Sequence, residues 1–251
     1  MGVKERRTKI LLILFLISDT KFSPVHIGEK IQLVFDLSFN QKTRGTISAL
    51  LKEGLIEKSE KEEEADEKSS YRLTDKGFRE LCLYFPFFRF LKEKWDGKWR
   101  IISYEIPEKK REIRDRFRRE MQGWGLGPWH RSFWLTPHPI IETLRELVSQ
   151  KEEEAYIQAF EAQHSFGDRT ILIDKVWDTQ TLSNKYRELF KVWHDILSKE
   201  GEREQKLRNV VDQYVSLLKE DPGLPSDLVG PTWIGYEAFN IFKEVRGILL
   251  S

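Results

Sequence analysis

Gln41, Lys42, Thr43, Arg44, Thr46 and Ser48 crowd one short segment of the chain. An amide, hydroxyls, an ammonium and a guanidinium at this density can read base edges or hold phosphates. Ile47, Leu50 and Leu51 recur through the same stretch at three- and four-residue spacing, so one side of a helix can face a core while the other stays outward. Gly54 ends that helix, and LIEKS and SYRLT alternate as two strands should. Thr74, ahead of Asp75-Lys76-Gly77, suits the cap of a further helix. A short polar and basic helix braced by a two-stranded wing fits a DNA groove, and Lys58 and Arg72 at the wing's roots join the expected contacts. The same wing can also serve protein contacts.

Two upstream helices must position this segment. Ile10 to Ile17 reads as a buried first helix, and Pro24 to Phe35 as a second, with Ile27, Ile31 and Val34 on one side. Three helices and a wing give the winged helix-turn-helix order. The Lys4-Glu5-Arg6-Arg7 start resembles a secretory leader, but the apolar run is far short of the roughly 20 residues that span a bilayer. No small-residue cleavage site follows it. A soluble, cytoplasmic protein with no membrane partner is expected. Between Glu57 and Lys68 stand seven acids against three lysines. Such a wing tip (Glu60, Glu62, Glu63, Glu64, Asp66, Glu67) repels phosphate and is expected to bend away from a duplex or to dock on a basic patch.

The chain has 251 residues and a formal net charge of +1, so any nucleic-acid affinity must come from local patches. Its single cysteine, Cys82, supports neither a disulfide framework nor a thiolate metal site. Beyond the apolar YFPFFRF stretch, WRIISYEI (Trp99 to Ile106) reads as a strand and residues 108 to 122 as an amphipathic helix. GWGLGPW reads as a tight turn and HRSFWL (His130 to Leu135) as a strand. A helix is expected from Pro139 to about Gln150, then strands in EAYIQAF and TILIDKV. This order suggests a ferredoxin-like α+β domain. Helical periodicity dominates from Asp178 onward. The expected division is 1–90, 91–177 and 178–251.

Two features of the middle segment invite chemistry. The helix from Glu108 to Glu120 is strongly basic. Arg111, Arg114 and Arg118, with the aromatic Trp134, could hold the phosphates of an effector or of DNA; a solvated face with ion pairs to the acidic wing or to Glu152, Glu153 and Glu154 is the other reading. Glu105, at the end of a strand, would be the metal-binding carboxylate of a nuclease, but no second acidic ligand stands near it in a clear motif. The glycines of GWGLGP lack dinucleotide-binding spacing. The histidines lack ligand spacing. Neither catalysis nor a resident cofactor or metal is expected.

Three stretches taken together resemble the PaaX-type regulators, the repressors of phenylacetic acid degradation. They are YRLTDKG (Tyr71 to Gly77), the W-x-I-x-S-Y-x-I-P-E to W-G-L-G-P to S-F-W pattern (Trp99 to Trp134), and D-P-x-L-P-x-x-L to W-x-G-x-x-A (Asp221 to Ala238). The resemblance implies a winged helix-turn-helix domain, a central domain like the small CRISPR adaptation protein, and a helical C-terminal domain. It further implies a homodimeric repressor that binds double-stranded DNA and is released by an acyl-CoA effector.

Overall fold

The computed structural model describes residues 2–18, 22–59 and 69–251. In chain order the elements are α1 (Val3–Ile17), β1 (Val25–His26), α2 (Glu29–Val34), α3 (Gln41–Lys52), β2 (Ile56–Lys58), β3 (Ser70–Leu73) and α4 (Asp75–Cys82). There follow β4 (Trp99–Tyr104), α5 (Arg111–Gly123), β5 (Gly127–His130), β6 (Phe133–Thr136), α6 (Ile141–Val148) and β7 (Ile157–Ala162). The remainder is helical: α7 (Arg169–Trp177), α8 (Thr179–Ser198), α9 (Arg203–Leu218), α10 (Ser226–Val229) and α11 (Ile234–Leu250). No described helix is long and apolar enough to cross a membrane.

The chain forms two compact units, one of residues 1–81, 188–216 and 237–251, the other of residues 82–187 and 217–236. In the first, every residue of α1 from Ile10 to Leu16 is buried. A helix apolar on all sides must be enclosed on all sides. Part of that enclosure is α11: Phe239 stacks on Phe15 with centroids 6.2 Å apart, and Arg246 Nη1 donates to the Leu16 carbonyl at 2.6 Å. A three-stranded antiparallel sheet, in the order β1-β3-β2, lies in the same unit. The second helix is shorter than its periodicity suggests, because Val25 and His26 pair with β3 as a strand.

The second unit holds a four-stranded antiparallel sheet in the order β5-β6-β4-β7, with α5 and α6 supplied between strands as in a ferredoxin-like domain. Ile102, Tyr104 and Trp134 on one face pack with Phe117, Met121, Leu144 and Val148 from the two helices. The opposite face packs Trp99 and Leu135 against Ile173 and Val176 of α7. That segment, TILIDKV, corrects the expectation of a strand. Asp168 accepts from the amides of Thr170 and Ile171 and so caps a helix, and Ile173 and Val176 are buried at three-residue spacing.

Candidate nucleic-acid interface

Helix α3 is fixed from its first turn. The Asn40 side chain accepts from the Thr43 amide at 3.2 Å, a cap that satisfies a donor with no partner inside the helix. Thr43, Thr46, Ile47 and Leu50 form its buried stripe. The Thr43 hydroxyl donates to the Ser38 carbonyl at 2.7 Å and the Thr46 hydroxyl to the Lys42 carbonyl at 2.9 Å. Thr43 is a correction to the expected contact set, since a fully buried hydroxyl bonded to backbone cannot meet a base or a phosphate; Thr46 is likewise bonded but borders the groove between α1 and α3. The sequence carries the signal: positions 43, 46, 47 and 50 share one helical face.

The opposite side of α3 exposes Gln41, Lys42, Arg44, Gly45, Ser48 and Lys52. The Arg44 guanidinium lies 5.9 Å from the Phe39 ring centroid, which limits its freedom without neutralising it. Among the described residues no carboxylate pairs with Lys42 or Arg44. A cleft of about 990 Å³ runs beside this face, lined by Arg44, Ser48 and Leu51 together with His26, Lys30 and Tyr71. The two expected contacts on β2 and β3 differ. Lys58 is exposed, whereas Arg72 donates to the Glu57 carboxylate at 2.9 and 2.6 Å, so its charge is answered across β2 and β3. The expected acidic tip, Glu60, Glu62, Glu63, Glu64, Asp66 and Glu67, lies outside the described residues.

The basic helix α5 is arranged differently. Arg114 donates to Glu108 at 2.5 Å and Arg116 to Glu153 at 2.6 Å. Lys110 pairs with Glu152, and Arg111 lies 3.5 Å from Asp115. The Arg114 hydrogen bond holds the Glu108 carboxyl below the usual carboxylate range, and Glu152 raises the Lys110 ammonium above its own. Of the expected effector set, Arg118 is exposed, with its guanidinium carbon 6.0 Å from the Trp134 ring centroid. Trp134 itself is 1% exposed and belongs to the core, so it cannot line an open ligand pocket. Glu105 is exposed just beyond β4, and among the described residues no three His, Cys, Asp or Glu side chains gather into a metal-binding group.

The glycine-rich turn is closed by packing. Gly125 has φ +80°, and a Cβ there would lie 2.5 Å from the Pro222 carbonyl oxygen; a Cβ on Gly127 would strike Val176 and Trp177. Sequence reasoning also misses what the D-P-x-L-P stretch does. Asp221 is buried, accepting from Tyr186 Oη at 2.6 Å and from the Gly223 amide at 2.7 Å. Burial raises its pKa to about 6 against the opposing effect of those donors and of Trp233. His138 Nε2 meets the Pro222 carbonyl at 2.7 Å, and burial lowers that ring's pKa to about 3, so it is neutral and donates. These are interior polar contacts, visible in sequence only as a motif of unassigned purpose.

A family model described as the PaaX protein central Cas2-like domain matches residues 92–171, and one described as the PaaX-like protein C-terminal domain matches residues 177–251. The chain belongs to the PaaX family. Together the two matches cover more than half of this PaaX-family chain, and they include the ferredoxin-like sheet and the helices that follow it. A search of curated proteins gives no match. Among solved structures, the uncharacterized protein Rv0674 from Mycobacterium tuberculosis is similar over 96% of this chain and 97% of its own, at 17% identity and a TM-score of 0.50. At that identity the likeness speaks for the fold alone. Family membership supports a PaaX-like transcription regulator.

Proposed function

We propose that this PaaX-family chain is a sequence-specific, double-stranded-DNA-binding transcriptional repressor, not an enzyme, and acts as a homodimer. In this reading α1, α2, α3 and the β1-β3-β2 sheet form a winged helix-turn-helix, and α3 is the helix that enters the major groove. The observation that carries it is the outward face of α3, where Gln41, Lys42, Arg44 and Ser48 stand exposed. Two-fold symmetry would place two such helices on palindromic half-sites. Release by an acyl-CoA thioester follows the family resemblance. A tenfold loss of DNA affinity on release requires about 1.4 kcal/mol of preference for the released state.

The test is to incubate the protein with sheared genomic DNA at physiological salt and to sequence the retained fragments, with and without a mixture of acyl-CoA thioesters. A few enriched palindromic sites, lost with one thioester, are expected. Enrichment insensitive to thioesters would remove the effector assignment, and retention of no specific sequence would remove the DNA-reading role.

A further inference from the structure

On the side of α3 where α1 begins, a groove of about 540 Å³ runs between the first turns of α1 and the start of α3. Val3, Arg6 and Arg7 stand on one wall, and Lys42, Gly45 and Ala49 on the other. Gly45 occupies the middle of a 12-residue helix with no positive φ, and a Cβ added there would meet nothing within 4 Å. Packing therefore does not require glycine, although a glycine in a helix interior weakens the helix relative to alanine. Beside it, Arg7 is bound to the Glu53 carboxylate through two hydrogen bonds, at 2.7 and 2.6 Å. That pair ties the start of α1 to the end of α3 and fixes the groove's two walls.

We propose that this groove seats the sugar-phosphate backbone of duplex DNA, with Gly45 as the point of closest approach and Arg6 and Lys42 as phosphate contacts. The inference rests on the DNA-reading role of α3. A B-form major groove is about 12 Å wide and a helix with its side chains is about 10–12 Å across, so a helix inserted there has a phosphate ridge on either side. Helix α3 is flanked in a way that suits this, with the cleft beside Arg44 and Ser48 on one side and the α1–α3 groove near Gly45 and Ala49. The second groove has a floor of small and aliphatic groups that suits deoxyribose, and a guanidinium and an ammonium that suit phosphate. Glycine at position 45 keeps the backbone of α3 uncovered where the phosphate ridge must come near.

The experiment titrates the operator found by genomic selection with the full chain and with Arg6→Gln, Lys42→Gln and Gly45→Leu, over a series of salt concentrations. Each charge variant is expected to flatten the dependence of log K on log salt by about 0.9, the value for one lost phosphate contact. Gly45→Leu is expected to bind the operator at least about tenfold more weakly while melting no lower than wild type, because leucine favours helix and meets open space. Unchanged slopes in both charge variants, wild-type affinity in Gly45→Leu, or a lowered melting temperature in that variant would each overturn the inference. Failure of the DNA-reading role itself shows differently: the unsubstituted protein would then select no operator at all.

Discussion

Helices α3 and α5 both display several basic side chains, but three of the five arginines of α5 are met by carboxylates, leaving Arg118 and Arg119 without one among the described residues. On α5 and just before it, Lys110, Arg111, Arg114 and Arg116 each have a carboxylate partner, drawn from Glu152, Asp115, Glu108 and Glu153. On α3, Lys42 and Arg44 project from a face with no such partner among the described residues. Counting cations along the sequence ranks α5 above α3, and counting unpaired cations removes that advantage. A charge paired with a neighbouring carboxylate must give up that pair to engage a phosphate, at a cost of about 0–1 kcal/mol for an exposed pair. If the chain reads DNA as proposed, the difference favours the less basic helix for that role.

The largest expected effect concerns a charge that is neither answered by a cation nor exposed. Asp221 has its folded pKa raised to about 6 from an ordinary 3.8. A raised folded pKa means stability that is fully present below the unfolded value and lost as pH rises through the folded one. Between about pH 4 and pH 7 this group should remove on the order of 3 kcal/mol. Asp221→Asn should flatten that slope in denaturant titrations at several pH values; an unaltered pH profile would show that the carboxylate does not titrate in this range.

Next comes the exposed face of α3. Arg44→Ala should cost roughly 1–3 kcal/mol of specific binding through loss of a guanine contact, measured on the selected operator. Third, the combined change of Glu108, Glu152 and Glu153 to glutamine should turn α5 into a surface like α3. Non-specific DNA affinity should rise, and its salt slope steepen by about 0.9 for each phosphate newly engaged. If the slope stays as it was, pairing is not what silences α5. Fourth, Glu153→Gln alone should lower stability by about 1 kcal/mol, since its carboxylate is only 8% exposed while its partner Arg116 is 56% exposed and well solvated. The smallest effect is one of pH. The Glu108 carboxyl, held below its ordinary range by Arg114, stays ionised as pH falls from about 7.5 to about 5.5, so the α5 pairing persists and non-specific binding by Arg44→Ala should not increase over that interval.

Much of this is legible in the chain of residues itself. The α3 register, the strands β2 and β3, the Thr74 hydroxyl accepting from the Gly77 amide at 3.0 Å, and the order of elements in the ferredoxin-like unit follow from spacing and capping chemistry. The departures have physical causes. TILIDKV looks like a strand because its β-branched residues are common to strands and buried helices, and only the Asp168 cap distinguishes them. Gly127 to Trp129 reads as part of a turn and His130 as the start of the next strand, although Gly127 to His130 form β5 and pair with β6 around a bulge. Thr43 and Thr46 resemble readers by chemical type, while their helical position places them on the buried stripe. Trp134 resembles a pocket wall because sequence cannot tell an aromatic core from an aromatic site. Pairing on α5 depends on Glu152 and Glu153, which lie 42 and 37 residues from their partners, and no local pattern fixes that meeting.

The most direct measurement places the two helices in one titration: fluorescence anisotropy of the selected operator with wild type, Arg44→Ala and Arg118→Ala at physiological salt. The account predicts a loss of roughly 5- to 150-fold for Arg44→Ala, the equivalent of about 1–3 kcal/mol, and an unchanged constant for Arg118→Ala. Equal losses, or a loss confined to Arg118→Ala, would contradict the assignment of DNA to α3.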